Sequence, residues 1–396
     1  MKTIKDALRA VMLFYKKILY KIAQRTTKVD DKLVFFESFQ GRNYSCNPKG
    51  IYQAMDESED YNAYKHVWAF RDVKSHDYIK SSNTKVVKFE SFKYYRALAK
   101  AKYWVFNSNT RKFVVPKDNQ VFVQTWHGTP LKKIGCDVEK AGNAVTDLED
   151  IAPLYRREAE KISYFISPSK FCTEKLVSAF DLDDDKKVLE TGYPRNDELF
   201  TATNAEVSSI KKKLGIDEKK HVILYAPTFR DNAHSQITGF NNAIGIDFKR
   251  LEQMLGDDYV ILFRGHYFIS KAADFSIYGD FLIDVSDVED INELYLASDL
   301  LITDYSSVFF DYANLRKPIL FYMYDLDAYK NHIRDLYIDV LDLPGPIIEE
   351  FDELAEQIKR KVAWHAVDMK YSLFNETYNY LDGPDCGLKV AREIIK

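Results

Sequence analysis

Four groups of side chains stand where they could move a proton or hold an anion, each just past a short apolar run. His127 lies in Gln124-Thr-Trp-His-Gly-Thr-Pro130, after Val121-Phe-Val123. Near neutral pH an imidazole can take a proton from a hydroxyl, and the following Gly128 permits close backbone approach. The plainer reading is a histidine bonded to a backbone carbonyl. His266 closes Arg264-Gly-His266 after Val260–Phe263. A cation and an imidazole two residues apart suit a phosphate or a leaving group, or equally a salt bridge beside a capped turn. Thr228 and Arg230, in Ala226-Pro-Thr-Phe-Arg-Asp231, could bond phosphate oxygens, the arginine as a fork. Otherwise Arg230 pairs with Asp231 on a surface loop. Asp304, Ser306 and Ser307 follow Leu300–Ile302 and precede a helical pattern starting near Val308. A helix start attracts anions, but serine also caps helices with no ligand present. Asp304 could orient a ligand hydroxyl or close the turn.

Other stretches carry weaker signals. Gly192-Tyr-Pro-Arg-Asn-Asp197 offers Arg195, Asn196 and Asp197, and a structural turn explains it as well. Lys132-Lys133 could attract an anionic acceptor or simply be solvated. Asp183-Asp-Asp185 reads as a solvated turn, because one loop cannot by itself surround an ion. GxGxxG and Walker A motifs are missing. That speaks against a Rossmann oxidoreductase and a P-loop kinase.

The elements that must position these groups alternate between strand and helix. Strands are expected at Leu33–Phe36, His66–Phe70, Tyr103–Phe106, Val121–Val123, Tyr164–Ile166 and Val188–Thr191. Helices are expected near Pro48–Asp56, Ser91–Ala101 with Ser91 as cap, Leu154–Ile162 and Ser169–Phe180. Thr201–Asp217, polar and lysine-rich with a helix inside, reads as the linker. The pattern restarts with strands at Val222–Tyr225, Val260–Phe263, Phe281–Ile283, Leu300–Ile302 and Ile319–Phe321. Helices fall near Phe248–Leu255, Ile291–Ala297, Ser307–Asn314, Phe351–Val362 and Gly387–Ile395. Such alternation implies βαβ units and parallel sheets. Ligands bind such sheets at the carboxyl edge. Two edges, one in each half, imply a cleft. The expected division is 1–29, an amphipathic helix; 30–204 and 205–375, two α/β domains; and 376–396, a helix crossing back.

Composition sets outer limits. The chain has 396 residues, 46% of them hydrophobic, enough for two globular cores. The net charge of -4 gives no general nucleic-acid signal. Cys46, Cys136, Cys172 and Cys386 are widely spaced without a CxxC pair, so neither a zinc site nor a disulfide framework is indicated. A reducing cytoplasm is the simpler setting. No apolar run is long enough to span a bilayer. Residues 1–28 carry eight Lys or Arg against Asp6 alone. Ile4, Leu8, Val11, Tyr15, Ile18 and Ile22 recur there at helical spacing, widened by Met12 and Leu19. That pattern fits a helix lying on an anionic membrane, or one packed on the protein's own core. Lys16 and Lys17 interrupt the apolar stretch and argue against a cleaved signal peptide.

Taken together, Trp126-His-Gly-Thr129, Ala226-Pro-Thr-Phe-Arg230, Arg264-Gly-His266 and Thr303-Asp-Tyr-Ser-Ser307 resemble a known motif set. It is that of the CDP-glycerol:poly(glycerophosphate) glycerophosphotransferases of teichoic acid synthesis, in the same order. Gly192–Asp197 also fits, and the resemblance covers roughly residues 30 to 375. It implies a GT-B architecture, two Rossmann-like domains across a deep cleft. It implies transfer of glycerol phosphate from CDP-glycerol to a hydroxyl of an undecaprenyl-diphosphate-linked acceptor, with release of CMP. The setting would be the cytoplasmic face of the membrane. By this resemblance His127 is the base and His266 a second essential histidine. Ser306 and Ser307 contact the donor phosphates, and Thr228, Arg230, Arg264 and Asp304 belong to the donor site. Trp126, Gly128, Thr129, Lys132, Arg195, Asn196 and Asp197 fall to the acceptor side or cleft. No protein metal site is implied, and Mg²⁺ stays open. CDP-ribitol, a nucleotide sugar, or a non-catalytic membrane scaffold are the alternatives. Glycerol and ribitol are not separable by composition, nor is the oligomeric state legible. A chain about one GT-B module long tilts the expectation toward a primase or short-chain transferase.

Overall fold

The computed structural model describes residues 2–139, 148–183, 187–228, 245–265, 275–326, 336–360 and 368–395. Seven strands build the first sheet: β1 (Asp30–Glu37), β2 (Lys65–Phe70), β3 (Thr84–Lys88), β4 (Ala101–Phe106), β5 (Val121–Gln124), β6 (Tyr164–Ser167) and β7 (Lys187–Glu190). Their order is β3-β2-β1-β4-β5-β6-β7, every pair parallel. The second sheet holds β8 (His221–Ala226), β9 (Tyr259–Phe263), β10 (Leu282–Asp284), β11 (Leu300–Thr303), β12 (Ile319–Tyr322) and β13 (Ile347–Ile348). Its order is β10-β9-β8-β11-β12-β13, again parallel throughout. Both sheets therefore reverse direction of growth beside their first strand, between β1 and β4 and between β8 and β11. Crevices for ligands open at such reversals. This is the doubly wound pair that the alternation implied, and it is GT-B-like, as the resemblance implied.

The apolar runs make central strands because both faces are covered. Val34, Phe35, Phe36, Trp104, Val105 and Phe106 are fully buried, as are Leu262, Phe263, Leu301 and Ile302. Ser91 caps the helix Phe92–Lys100 by accepting from Tyr94 N, and Ser169 caps Lys170–Phe180 by accepting from Cys172 N. Three elements went unanticipated. Strand β3 carries lysines at an edge, β13 has two residues, and the helix Asp368–Tyr378 packs through Tyr371, Phe374 and Tyr378. The expected helix Ser307–Asn314 is shorter, Val308–Tyr312 followed by a 3-10 turn, Ala313–Leu315.

The last helix, Cys386–Ile394, buries Val390, Ala391 and Ile394 in the core of the first domain. Asp197 holds its start, accepting from the backbone N of Cys386 and Gly387. The chain thus passes between the domains twice. All four cysteines are free thiols.

Lys2–Thr26 is one long helix. Tyr20 and Ala23 bury against the first domain, Tyr20 donates to Val115 O, and Lys16 pairs with Glu90. The other face is open: Leu8 is 65% exposed, Val11 63% and Phe14 65%, with Met12, Tyr15, Ile18 and Ile22 also exposed. Apart from Leu19, which packs against the core, the described part of the apolar stripe seen in the sequence is therefore not the face that docks. No helix among the described residues is long and apolar enough to cross a membrane.

Candidate active site

His127 sits where β5 ends. Its Nδ1 lies 2.7 Å from the backbone O of Asn107, at the end of neighbouring β4. A carbonyl only accepts, so Nδ1 carries the proton and Nε2 keeps its lone pair. The ring stands between Trp126, at 4.3 Å between centroids, and Phe39, edge-on at 5.8 Å. It is exposed because it faces the open cleft, while the cleft walls still crowd it. That crowding lowers its pKa to about 4; the charge of Arg195 pushes the same way and the Asn107 carbonyl pushes back. The imidazole is neutral at physiological pH, the form a base needs. The carbonyl-bound reading of His127 holds at Nδ1, and the same bond leaves the lone pair on Nε2.

Two neighbours hold this loop. Trp126 has φ of 50°, a left-handed conformation that costs a non-glycine residue about 1–3 kcal/mol and persists where its surroundings fix it. Asn47 supplies the fixing. Its Nδ2 donates to Thr125 O at 3.1 Å and Trp126 O at 3.4 Å, and its Oδ1 accepts from Arg195 N at 3.2 Å. Asn107 is tied in turn, accepting from Phe39 N and donating to Ser38 Oγ.

The facing wall comes from the second domain. Thr228 follows β8, and its N–H donates to Asp304 Oδ1 at 2.8 Å. Asp304 is buried, so it shapes the loop from behind. Ser306 and Ser307 are half-buried at the end of β11. A β-carbon placed on Gly128 would lie 3.4 Å from Ser307 Oγ, so the two loops meet there. Ser307 makes no capping bond, and a helix of five residues has little dipole. Any hold on an anion falls to the two hydroxyls rather than to a helix terminus. Arg264 donates to Val285 O and Val288 O, which commits one end of its guanidinium to the scaffold.

A cavity of about 440 Å³ gathers these groups: Trp126, His127, Gly128, Thr129 and Lys132 on one side, Thr228, Arg264, Ser306 and Ser307 on the other. Lys132 also bridges to Leu336 of the second domain. His266 and Arg230 lie outside the described residues. Among the described residues no cluster of three or more His, Cys, Asp or Glu could hold a metal ion.

The Gly192–Asp197 turn does different work. Arg195 is buried and reaches Asp311 Oδ1 from NH2 at 2.6 Å, stacking over Tyr193 at 4.6 Å. Burial pulls the guanidinium pKa down, but Asp311 together with Cys46 and Tyr193 raises it well above its ordinary value, so the group stays charged. Gly50 lets the helix Cys46–Glu57 press on this turn, since a β-carbon there would lie 2.3 Å from Pro194 O. Asn196 joins Asp311 to Asp382. Asn196 therefore binds the halves together and Asp197 holds the last helix to the first domain; neither lines the His127 cavity, and Asp197 borders a separate one of about 640 Å³. Asn107, Asn47, Phe39 and Asp311 were not singled out from sequence. Asn107 had a visible signal, a polar residue closing the run Tyr103–Phe106.

Comparisons with known proteins bear on the family and the fold. The chain is 36% identical over 393 residues to a teichoic acid poly(glycerol phosphate) polymerase of Bacillus spizizenii, covering 97% of this chain and 99% of that one. It is 38% identical over 384 residues to a teichoic acid glycerol-phosphate transferase of Staphylococcus aureus, 96% and 97% covered. Length therefore does not separate the two named roles, and the tilt toward a primase loses its basis. Relatives named for ribitol phosphate match less, for example half of the chain or 67%. A solved structure of the wall teichoic acid polymerase TagF, a variant with CDPG, superposes with a TM-score of 0.88 at 37% identity, covering 99% of this chain and 97% of that one. The family model described as CDP-glycerol:poly(glycerophosphate) glycerophosphotransferase matches residues 18–396, and the chain belongs to that family.

Proposed function

We infer that this protein transfers glycerol phosphate from CDP-glycerol to a hydroxyl of a teichoic acid acceptor, releasing CMP. The observation that carries it is the single cavity in which the carbonyl-anchored His127 faces Ser306, Ser307 and Thr228. His127 Nε2 takes the proton of the acceptor hydroxyl. The hydroxyl oxygen bonds to the phosphorus that bears glycerol, in line with the oxygen of CMP. That P–O bond breaks and CMP leaves with the electron pair. The serine hydroxyls and the Thr228 loop bond phosphate oxygens as charge shifts. By family resemblance His266 and Arg230 add cationic or hydrogen-bonding help. Glycerol is the favoured polyol, because relatives named for it match nearly the whole chain.

The acceptor is lipid-linked in this reading, and the enzyme sits peripherally on the cytoplasmic face of the membrane. Support comes from the exposed apolar face of Lys2–Thr26, which the core leaves uncovered. The test is CMP release from CDP-glycerol, CDP-ribitol and a UDP-sugar in parallel, with a lipid-linked disaccharide and its glycerol-phosphate-primed form as acceptors. Release from CDP-glycerol alone is expected. Release only from CDP-ribitol, or only from the sugar nucleotide, would overturn the donor assignment.

A further inference from the structure

Beyond His127 the carboxyl edge of the first sheet continues as a rim that the transfer step does not use. After β1 the chain turns through Phe39, Gln40 and Gly41 with φ of 47°, 57° and 73°. Two consecutive non-glycine residues in the left-handed region are costly, and such strain gathers where function needs a shape. The turn is held, not loose. Phe39 N donates to Asn107 Oδ1, Gly41 N donates to Ser38 O, and Arg71 N donates to Gly41 O.

The turn organises cations. Arg71, just past β2, donates from Nε to Gln40 O at 2.9 Å and stacks over Phe89 at 5.3 Å. Arg42 directly follows the turn. Arg111, past β4, pairs with Glu90, past β3, at 2.7 Å. The charge on Arg71 is disfavoured first by burial, then by nearby Arg42 and Arg111, while Glu90 and Glu37 act the other way. Among the described residues neither Arg42 nor Arg71 has a carboxylate ion-pair partner. Glu37, buried beneath, does little to neutralise them below pH 8, because burial raises its pKa to about 8.

The rim has two ends. At one, Phe39 meets His127 edge-on. At the other, Glu90 is shared by Arg111 and by Lys16 of the N-terminal helix, whose apolar face is open. The strand order places β2 three strands from β5. At about 4.8 Å per strand, Arg71 stands roughly 14 Å along the edge from His127. An acceptor rising from a membrane under that helix would cross the arginines before reaching the base.

We propose that Arg42, Arg71 and Arg111 form the acceptor's phosphate site, holding the diphosphate or phosphodiester of a lipid-linked chain while its terminal hydroxyl lies at His127. The proposal rests on the transfer reading above. A planar, fixed guanidinium suits phosphate better than a mobile ammonium does. Phosphate could also come from membrane headgroups, so the test separates the two sources.

The experiment compares full-length protein with Arg42→Gln/Arg71→Gln, with Arg71→Lys, and with Arg250→Gln, which removes the same charge from a remote helix. Thermal unfolding confirms that each variant folds. Calorimetry measures binding of a short-prenyl diphosphate disaccharide, CMP release gives acceptor and donor KM, and sedimentation measures binding to phosphatidylglycerol vesicles without acceptor. For the double variant, acceptor Kd and KM should rise at least about tenfold, the loss of one or more charge-assisted bonds, with donor KM changed less than about twofold. Arg71→Lys should recover part of the loss, and Arg250→Gln should match wild type. An unchanged acceptor Kd overturns the site. Loss of vesicle binding with acceptor Kd intact overturns it in favour of membrane lipid. If wild type binds the acceptor in an arginine-dependent way but releases no CMP, the site stands and the transfer reading falls.

Discussion

Arg195 of the first domain and Asp311 of the second share a buried ion pair at 2.6 Å, directly behind the backbone of Gly128. The pair joins the wall that carries His127 to the helix that follows the two serines. Removing one partner strands a buried charge, which costs about 3–5 kcal/mol. Asp311→Ala should therefore lower unfolding free energy by that order in urea melts. Replacing both residues with apolar ones of similar volume should cost far less.

His127→Ala should abolish CMP release, with a loss of about 10²–10⁴ for the proton-transfer step alone. Binding of CDP-glycerol, measured by calorimetry, should stay within about threefold, since in this reading the base touches the acceptor rather than the donor. Substantial residual transfer would remove the base assignment.

The pH dependence follows from the depressed pKa of His127, about 4. The lone pair on Nε2 stays available well below the ordinary imidazole range. The acid limb of kcat/KM should fall near pH 4–5, not near the unperturbed value of about 6.5. An acid limb at 6.5 belonging to His127 would show that the cleft does not crowd the ring as described.

Asn47 should matter more to rate than to substrate binding. Asn47→Asp keeps the acceptor for Arg195 N but sets a carboxylate against the Thr125 and Trp126 carbonyls. That frees the strained Trp126 and displaces His127, and misplacement of this kind costs up to about 10²-fold. The expected signature is a fall in kcat with donor KM nearly constant. Equal changes in both, or a change in stability alone, would make Asn47 a packing residue only.

Glu37 gives a prediction of opposite sign in pH. Burial, the largest cause, raises its pKa from 4.5 to about 8, and Oε2 has no hydrogen-bond partner. The folded chain keeps that proton longer than the unfolded one does. Stability is thus unpenalised below pH 4.5 and declines as pH rises toward 8. Glu37→Gln should unfold like wild type at pH 4 and be more stable at pH 8.5 in urea titrations.

Much of the architecture was legible because buried parallel strands are near-continuous apolar runs, as Val222–Tyr225 and Leu300–Ile302 show. His127 and the Ser306–Ser307 pair were found because they close such runs. Strand β3 was missed because its Thr-Lys-Val-Val-Lys sequence belongs to a sheet edge, where lysine is tolerated. The helix Asp368–Tyr378 did have a periodic signal in Tyr371, Phe374 and Tyr378, and it was overlooked. Asn107 is visible as a polar residue closing Tyr103–Phe106, but it acts on His127 through its backbone carbonyl, a role that the run's polar end does not specify. Arg195 and Asp311 are 116 positions apart, and only the fold reveals them as partners.

The chain's double passage between domains has a mechanical consequence. Two covalent crossings, near Thr201 and near Asp382, constrain relative motion as a door is constrained by two pins. Rotation about the line through both crossings is the softest motion; twist and slide stretch one strap or the other. Asn196 and Asn314 meet Asp382 beside the second pin, so the axis runs through a hydrogen-bonded joint. Any opening of the cleft is thereby constrained to nearly one angle about that line.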